Sequence, residues 1–274
     1  MKKSFQYQEH TIVYSIHGNG TPLILLHGFL ESRTMWNPFI DFVSDSILTI
    51  SIDLPGHGES DNLGETNDLI HSAEIIKALL QYEGIKMPVI AGHSMGGYVA
   101  LSLLSKDPSA YRGVILLHSH AAADDKETKI NRERTISLLE KDRVSFIHSF
   151  YPELFSKSRV KLFNEEIVAL REESINMPTD NITAALRGMK NRSDQLQLLK
   201  DCSIPFLFIA GKQDSRISFN RILDQASLCK HAEVILLEDV GHMGHLEASD
   251  KLFPVIRDFV KRVGESNDRS LDCR

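Results

Sequence analysis

The sequence predicts a mostly parallel β-sheet with helices on both faces and an all-helical cap inserted into it. Three observations point there. Apolar runs of strand length recur along the chain, and most are separated by segments of helical spacing, the alternation that buries a parallel sheet between two helix layers. Between 121 and 192 the strand signal disappears while helical spacing continues. At 274 residues, with 42% hydrophobic and 25% charged, the chain has an ordinary globular composition and is long enough for one α/β domain carrying an insertion.

The elements follow in order. Residues 11–16 (TIVYSI) alternate like a strand, and 22–26 (PLILL) and 47–54 (ILTISIDL) are buried-strand runs that end in turn residues. The pattern returns at 87–91 (MPVIA), 113–117 (GVILL), 205–210 (PFLFIA) and 232–237 (AEVILL). Helices are expected at 34–43, 67–82, 97–106, 218–228 and 250–263; in the second, Ile70, Ala73, Ile76, Ala78 and Leu80 form an amphipathic stripe. Within the insertion, helices are expected at 127–140, 144–150, 160–174 and 181–190. The expected domain plan is a core of 1–120 and 193–264, a helical cap at 121–192, and a polar tail at 265–274 that frays.

The net charge of -6 provides no positive field for nucleic acid or anionic lipid, so neither is expected as a partner. Lys2 and Lys3 could begin a signal peptide, but 4–11 is polar where an apolar stretch would have to follow. No run approaches the roughly 18 apolar residues of a membrane span. Cys202, Cys229 and Cys273 are odd in number and unrelated in spacing, which suggests free thiols and a cytoplasmic location.

Gly92 to Gly96 spell GHSMG, directly after one strand run and directly before a helical one. Chemistry needs that context: a serine on a sharp strand-to-helix turn projects its hydroxyl above the sheet, and flanking glycines relieve the crowding. The helix N-terminus beneath it favours developing negative charge. A serine hydroxyl is a poor nucleophile until a base takes its proton and a third group orients that base. Asp214 and His242 both fall in loops just past strand C-termini, and the order Ser94, Asp214, His242 is the one a nucleophile elbow imposes. The oxyanion is expected to sit on the backbone N–H groups of Met95 and Phe29. Activity should fall on acidification, as His242 gains a proton and ceases to be a base.

His27, His93 and His118 flank this site and are candidates to touch substrate, although His27 and His93 also suit loop scaffolding. Phe146 and Phe150 of the insertion are candidates to line an acyl or alcohol pocket. His118, His120, His242 and His245 do not stand at a recognisable metal-ligand spacing, so no metal and no organic cofactor are expected. Asp53 and His57 look like a second acid–base pair but sit in a glycine-marked loop that argues for structure. Glu247 reads as a first-turn charge favoured by a helix dipole.

Taken together, LHGF (26–29), DLPGHGES (53–60), GHSMGG (92–97), the GKQD run ending at Asp214 and GHMGHLE (241–247) resemble the capped α/β-hydrolase superfamily over about residues 10–263. The resemblance implies a serine hydrolase; relatives with epoxide hydrolase or dehalogenase chemistry carry aspartate at the elbow. It implies hydrolysis of small to medium hydrophobic carboxylic esters through an acyl-enzyme. HGFL followed by Trp36 is also similar to menaquinone-pathway synthases that cleave a carbon–carbon bond, although Tyr98 stands where those relatives carry arginine. A third possibility implied by the superfamily is a small-molecule receptor that retains the triad.

Overall fold

A computed structural model describes residues 1–43 and 46–271. The chain opens with β1 (Lys2–Tyr7), β2 (His10–His17) and β3 (Thr21–Leu26), followed by α1 (Asn37–Val43), β4 (Ile47–Ile52) and α2 (Leu69–Tyr82). Asp68 begins α2 by accepting the Ile70 and His71 N–H groups. Next come β5 (Val89–His93), α3 (Met95–Lys106) and β6 (Gly113–Leu117).

No strand interrupts the following stretch, which holds α4 (Lys126–Phe150), α5 (Asn164–Ser174), α6 (Thr179–Asn191) and α7 (Leu196–Asp201). The core resumes with β7 (Phe206–Gly211), α8 (Phe219–Ala226), β8 (Ala232–Leu237), α9 (Gly244–Glu247) and α10 (Ser249–Leu271).

The eight strands form one sheet in the order β1-β2-β4-β3-β5-β6-β7-β8. β1 and β2 run antiparallel, and every pair from β4 to β8 is parallel. The strand period of two divides the core. Ile24, Leu26, Ile90, Val114 and Leu116 face the layer containing α2 and α3, whereas Leu23, Leu25, Val89, Ala91, Ile115 and Leu117 face α1 and α10. With both faces covered, strands such as PLILL and GVILL are apolar at successive positions.

Two expectations need correction. β1 lies in the polar segment where no strand was expected: it is an edge hairpin strand of alternating exposed and half-buried residues, held by pairing with β2 and by the packing of Phe5 and Tyr7. The two helices expected at 127–140 and 144–150 form one element kinked at Asp142, whose side chain accepts the Ser145 N–H and restarts the helix. In the segment expected to fray from 265, α10 continues through Leu271. The remainder of that tail, with Cys273, lies outside the described residues. Cys202 and Cys229 are free thiols, and no helix among the described residues is long and apolar enough to cross a membrane.

Candidate active site

The loops that leave β3, β5, β6, β7 and β8 at their C-terminal ends meet above the sheet, as in open parallel sheets generally. Ser94 is the hinge between β5 and α3, with φ 49° and ψ −112°, a strained conformation for a residue with a Cβ. Its backbone is fixed on both sides: Ser94 N–H donates to the Leu117 carbonyl at 2.9 Å, and Ser119 Oγ donates to the Ser94 carbonyl at 2.7 Å. The glycines of the motif are explained by close approach. A Cβ on Gly92 would run into the backbone of Gly96 and Gly97, and one on Gly96 would run into the Leu26 carbonyl of β3. Ser94 itself is half-buried and lines a cavity of about 430 Å³ together with His242.

His242 is positioned from two directions. Its Nδ1 donates to Asp214 Oδ2 at 2.8 Å, and its backbone N–H donates to the Leu154 carbonyl, in the segment between β6 and β7, at 2.6 Å. Asp214 is almost fully enclosed, and its other oxygen, Oδ1, accepts the Arg216 and Ile217 N–H groups at 2.7 and 3.0 Å. Burial alone would raise the Asp214 carboxyl, but His242 and then His118 hold it well below the usual carboxylate range. Ser94 Oγ makes no hydrogen bond to a described residue, and nucleophile–base hydrogen bonds commonly tighten only as substrate binds. Met95 is the first residue of α3, so its N–H has no intrahelical acceptor, and half-buried Phe29 lines the cavity from the loop after β3.

The substrate-binding expectations separate by position. Phe146 and Phe150 line the cavity, their rings tilted by 30° with centroids 5.4 Å apart, and Phe150 meets Phe29 edge-on at 5.7 Å. His27 does not line it: the ring is fully buried, with Nδ1 donating to the Gly28 carbonyl and Nε2 accepting the Leu54 N–H, so its role is to join two loops. His118 does not line it either. It sits behind the aspartate and donates Nδ1–H to Asp214 Oδ2 at 3.1 Å, so one carboxylate oxygen serves two imidazoles. Burial lowers His118 to about 4, so it stays neutral.

His93 reaches the cavity wall, but both ring nitrogens are engaged. Nδ1 is 2.7 Å from Glu31 Oε2 and Nε2 is 3.0 Å from the His242 carbonyl. Both partners are acceptors, so the ring carries both protons. Burial opposes that charge, yet Glu31 outweighs it and raises His93 above its ordinary value. Glu31 is opposed by burial as well and is held down to about 2 by His93.

Two acidic residues act in ways the sequence did not disclose. Glu31 directly follows HGFL, but nothing in that motif pairs it with a distant histidine, and only the fold brings it to His93. Glu247, read above as a first-turn charge, is buried and accepts the Gly241, Met243 and Ser156 N–H groups at 2.9, 3.3 and 2.9 Å. It therefore clamps both flanks of His242 to the chain beyond β6. Asp53 is structural, as expected: it receives the Arg33 and Glu59 N–H groups and pairs with the Arg33 guanidinium, not with His57.

Among the described residues, two groups bring metal-capable atoms within 4.8 Å of one another: Glu31 with His93 and His245, and His118 with Asp214 and His242. In the second, both facing imidazole nitrogens carry protons donated to the aspartate. In the first, His93 Nδ1 is protonated toward Glu31. Neither arrangement offers a full set of free lone pairs.

Comparison with known proteins agrees with this architecture. Residues 21–249 match the family model described as alpha/beta hydrolase fold. The chain is 26% identical over 249 residues to an (E)-2-((N-methylformamido)methylene)succinate hydrolase of Acinetobacter baylyi, covering 88% of this chain and 91% of that protein. It is 25% identical over 236 residues to a 2-succinyl-6-hydroxy-2,4-cyclohexadiene-1-carboxylate synthase of Klebsiella pneumoniae, covering 83% and 90%. Among solved structures, a thermophilic esterase from Thermogutta terrifontis superposes with a TM-score of 0.90 at 27% identity, covering 96% of this chain and 99% of that one. With the sheet order, the strained serine between strand and helix, and a family match over most of its length, the chain belongs to the alpha/beta hydrolase fold family and is a hydrolytic enzyme.

Proposed function

We propose that the protein is a cytoplasmic serine hydrolase that cleaves small to medium carboxylic esters with Ser94 as nucleophile, His242 as base and Asp214 as the group that orients the base. The observation that carries this reading is the shared cavity: Ser94 on its strained turn and His242, held through Nδ1 by buried Asp214, line the same space. His242 Nε2 takes the Ser94 proton as the hydroxyl attacks the substrate carbonyl. The N–H groups of Met95 and Phe29 receive the oxyanion; losing one such donor typically costs about 10² to 10³ in rate. His242 then protonates the leaving alcohol, and an acyl-enzyme remains on Ser94. In the second half the same ring activates water, and Asp214 stabilises the imidazolium in both.

We read residues 121–192 as a cap over the site. The His242 N–H bonded to Leu154 and the Tyr151 hydroxyl donating to the Leu30 carbonyl at 2.7 Å tie that segment down on both sides of the cavity. Closing the cavity there removes water from the acylation step and strengthens the electrostatics inside.

The relative named as a cyclohexadiene-carboxylate synthase favours a second reading, carbon–carbon bond cleavage by the same residues. One experiment tests both. Wild type and Ser94→Ala are treated with a fluorophosphonate, the adduct is located by mass spectrometry, and a p-nitrophenyl acetate to octanoate series is run alongside. Labelling at Ser94 with ester turnover that the variant loses supports the esterase reading. Labelling with negligible ester turnover transfers support to carbon–carbon cleavage, and no labelling in folded protein overturns both.

A further inference from the structure

The cavity around Ser94 is unevenly charged. Two of the carboxylates that line it are neutralised in place: Glu31 by the His93 imidazolium, and Glu153 by Arg216 at 2.8 Å. Asp124, the third, is shared by two guanidiniums. Arg132 holds both of its oxygens, and Arg192 Nη1 reaches Oδ1 at 2.5 Å. One carboxylate thus faces two arginines. Arg221 lines the cavity at its solvent-exposed rim, and no carboxylate oxygen of a described residue lies within 4.0 Å of it. Asp125 feels Arg221, but it is fully exposed and its side chain caps Thr128.

His120 stands in the same wall. Its Nε2 lies 3.5 Å from Arg192 Nη2, so the lone pair faces the guanidinium and the proton is on Nδ1. That Nδ1 is buried and has no hydrogen-bond partner among the described residues. Burial, and then Arg192 and Arg221, lower His120 to about 3, which keeps it neutral and keeps this nitrogen a donor. The surplus guanidinium charge in this wall suits a planar, bidentate anion.

We propose that the substrate carries a carboxylate, received in this wall by the surplus charge of Arg132 and Arg221, while its ester carbonyl lies at Ser94. A volume of about 430 Å³ suits a small half-ester of a short dicarboxylic acid. The assignment rests on the hydrolase reading for the ester, but the carboxylate site can be measured without turnover.

The test is a calorimetric titration of the Ser94→Ala protein with glutarate and with its neutral analogue glutaramide, repeated in an Arg221→Gln background. In parallel, wild type is assayed on p-nitrophenyl hemiglutarate against p-nitrophenyl butyrate. Expected is at least tenfold tighter binding of glutarate than of glutaramide, lost in that background, and at least a tenfold preference for the charged ester. The preference is a ratio within each protein, so a reduced folded fraction cancels. Equal affinity for the two ligands overturns the proposal, whatever the esters do. Selective glutarate binding without turnover of either ester sustains the carboxylate site and tells against ester hydrolysis instead.

Discussion

Glu31→Gln removes one charge from a buried pair, and the structure fixes what cannot be repaired. Glu31 Oε2 accepts two N–H groups, from Gly28 at 2.6 Å and from His93 Nδ1 at 2.7 Å. A glutamine oxygen at that position keeps both donors but leaves His93 either an unpaired buried imidazolium or a neutral ring whose bare Nε2 faces the His242 carbonyl. A glutamine nitrogen there loses the Gly28 N–H. Either way one buried polar group is stranded.

Glu31 falls from an ordinary 4.5 to about 2. At about 1.36 kcal/mol per pKa unit this corresponds to about 3 kcal/mol, the lower end of the about 3–5 kcal/mol lost when one partner of a buried pair is removed. The signs define a window. The depressed Glu31 contributes stability that is whole above about 4.5 and is lost as pH falls toward about 2. The raised His93 contributes stability that is whole below its ordinary 6.5 and is lost as pH rises through its folded value.

Thermal unfolding of wild type and Glu31→Gln at pH 5.5 should therefore differ by about 6–12 °C, at about 2–4 °C per kcal/mol for a domain of this size. The gap should narrow by pH 9. A difference below about 2 °C at pH 5.5, or one that widens with pH, would show that His93 is not a charged partner of Glu31.

Three further outcomes follow from the same geometry. Asp214→Asn must set an amide NH₂ either against two imidazole donors or against the Arg216 and Ile217 N–H groups, so kcat for ester hydrolysis should fall by about 10² to 10⁴; retention of more than a tenth of wild-type kcat would remove Asp214 from its orienting role. His118→Ala deletes one of the two N–H donors on Asp214 Oδ2, a charge-assisted bond of about 1.5–3 kcal/mol, and should lower kcat about tenfold with little change in KM; a purely structural role would instead lower the unfolding temperature at constant kcat. Glu247→Ala strands three backbone N–H groups at roughly 1–3 kcal/mol each and should speed hydrogen exchange at Gly241, Met243 and Ser156, whereas Glu247→Gln should retain part of that protection; unchanged exchange in both would refute the clamp.

Much of the frame was determined by the sequence itself, because the relevant physics is local. A strand buried on both faces must be apolar at successive positions, as PLILL and GVILL are, and a serine crossing from strand to helix needs glycines where neighbouring backbones touch. Ser94, Asp214 and His242 could be singled out as candidates because each stands in a loop or turn just past a strand. The edge strand β1 was not legible, since pairing to β2 holds it and its own apolar content is small.

What only the tertiary structure decided is which groups meet and how they are protonated. Glu31 and His93 are 62 positions apart, His118 and Asp214 are 96 apart, and Ser156 and Glu247 are 91 apart. No local pattern marks such pairs. Burial then sets their charge: the same side chain is an imidazolium at His93, opposite a carboxylate, and neutral at His118 and His120, where desolvation prevails. His27 and His118 moved from candidate substrate contacts to supports, and His120 entered the cavity wall, because a loop's direction beyond its strand is set by what packs against it rather than by its own residues.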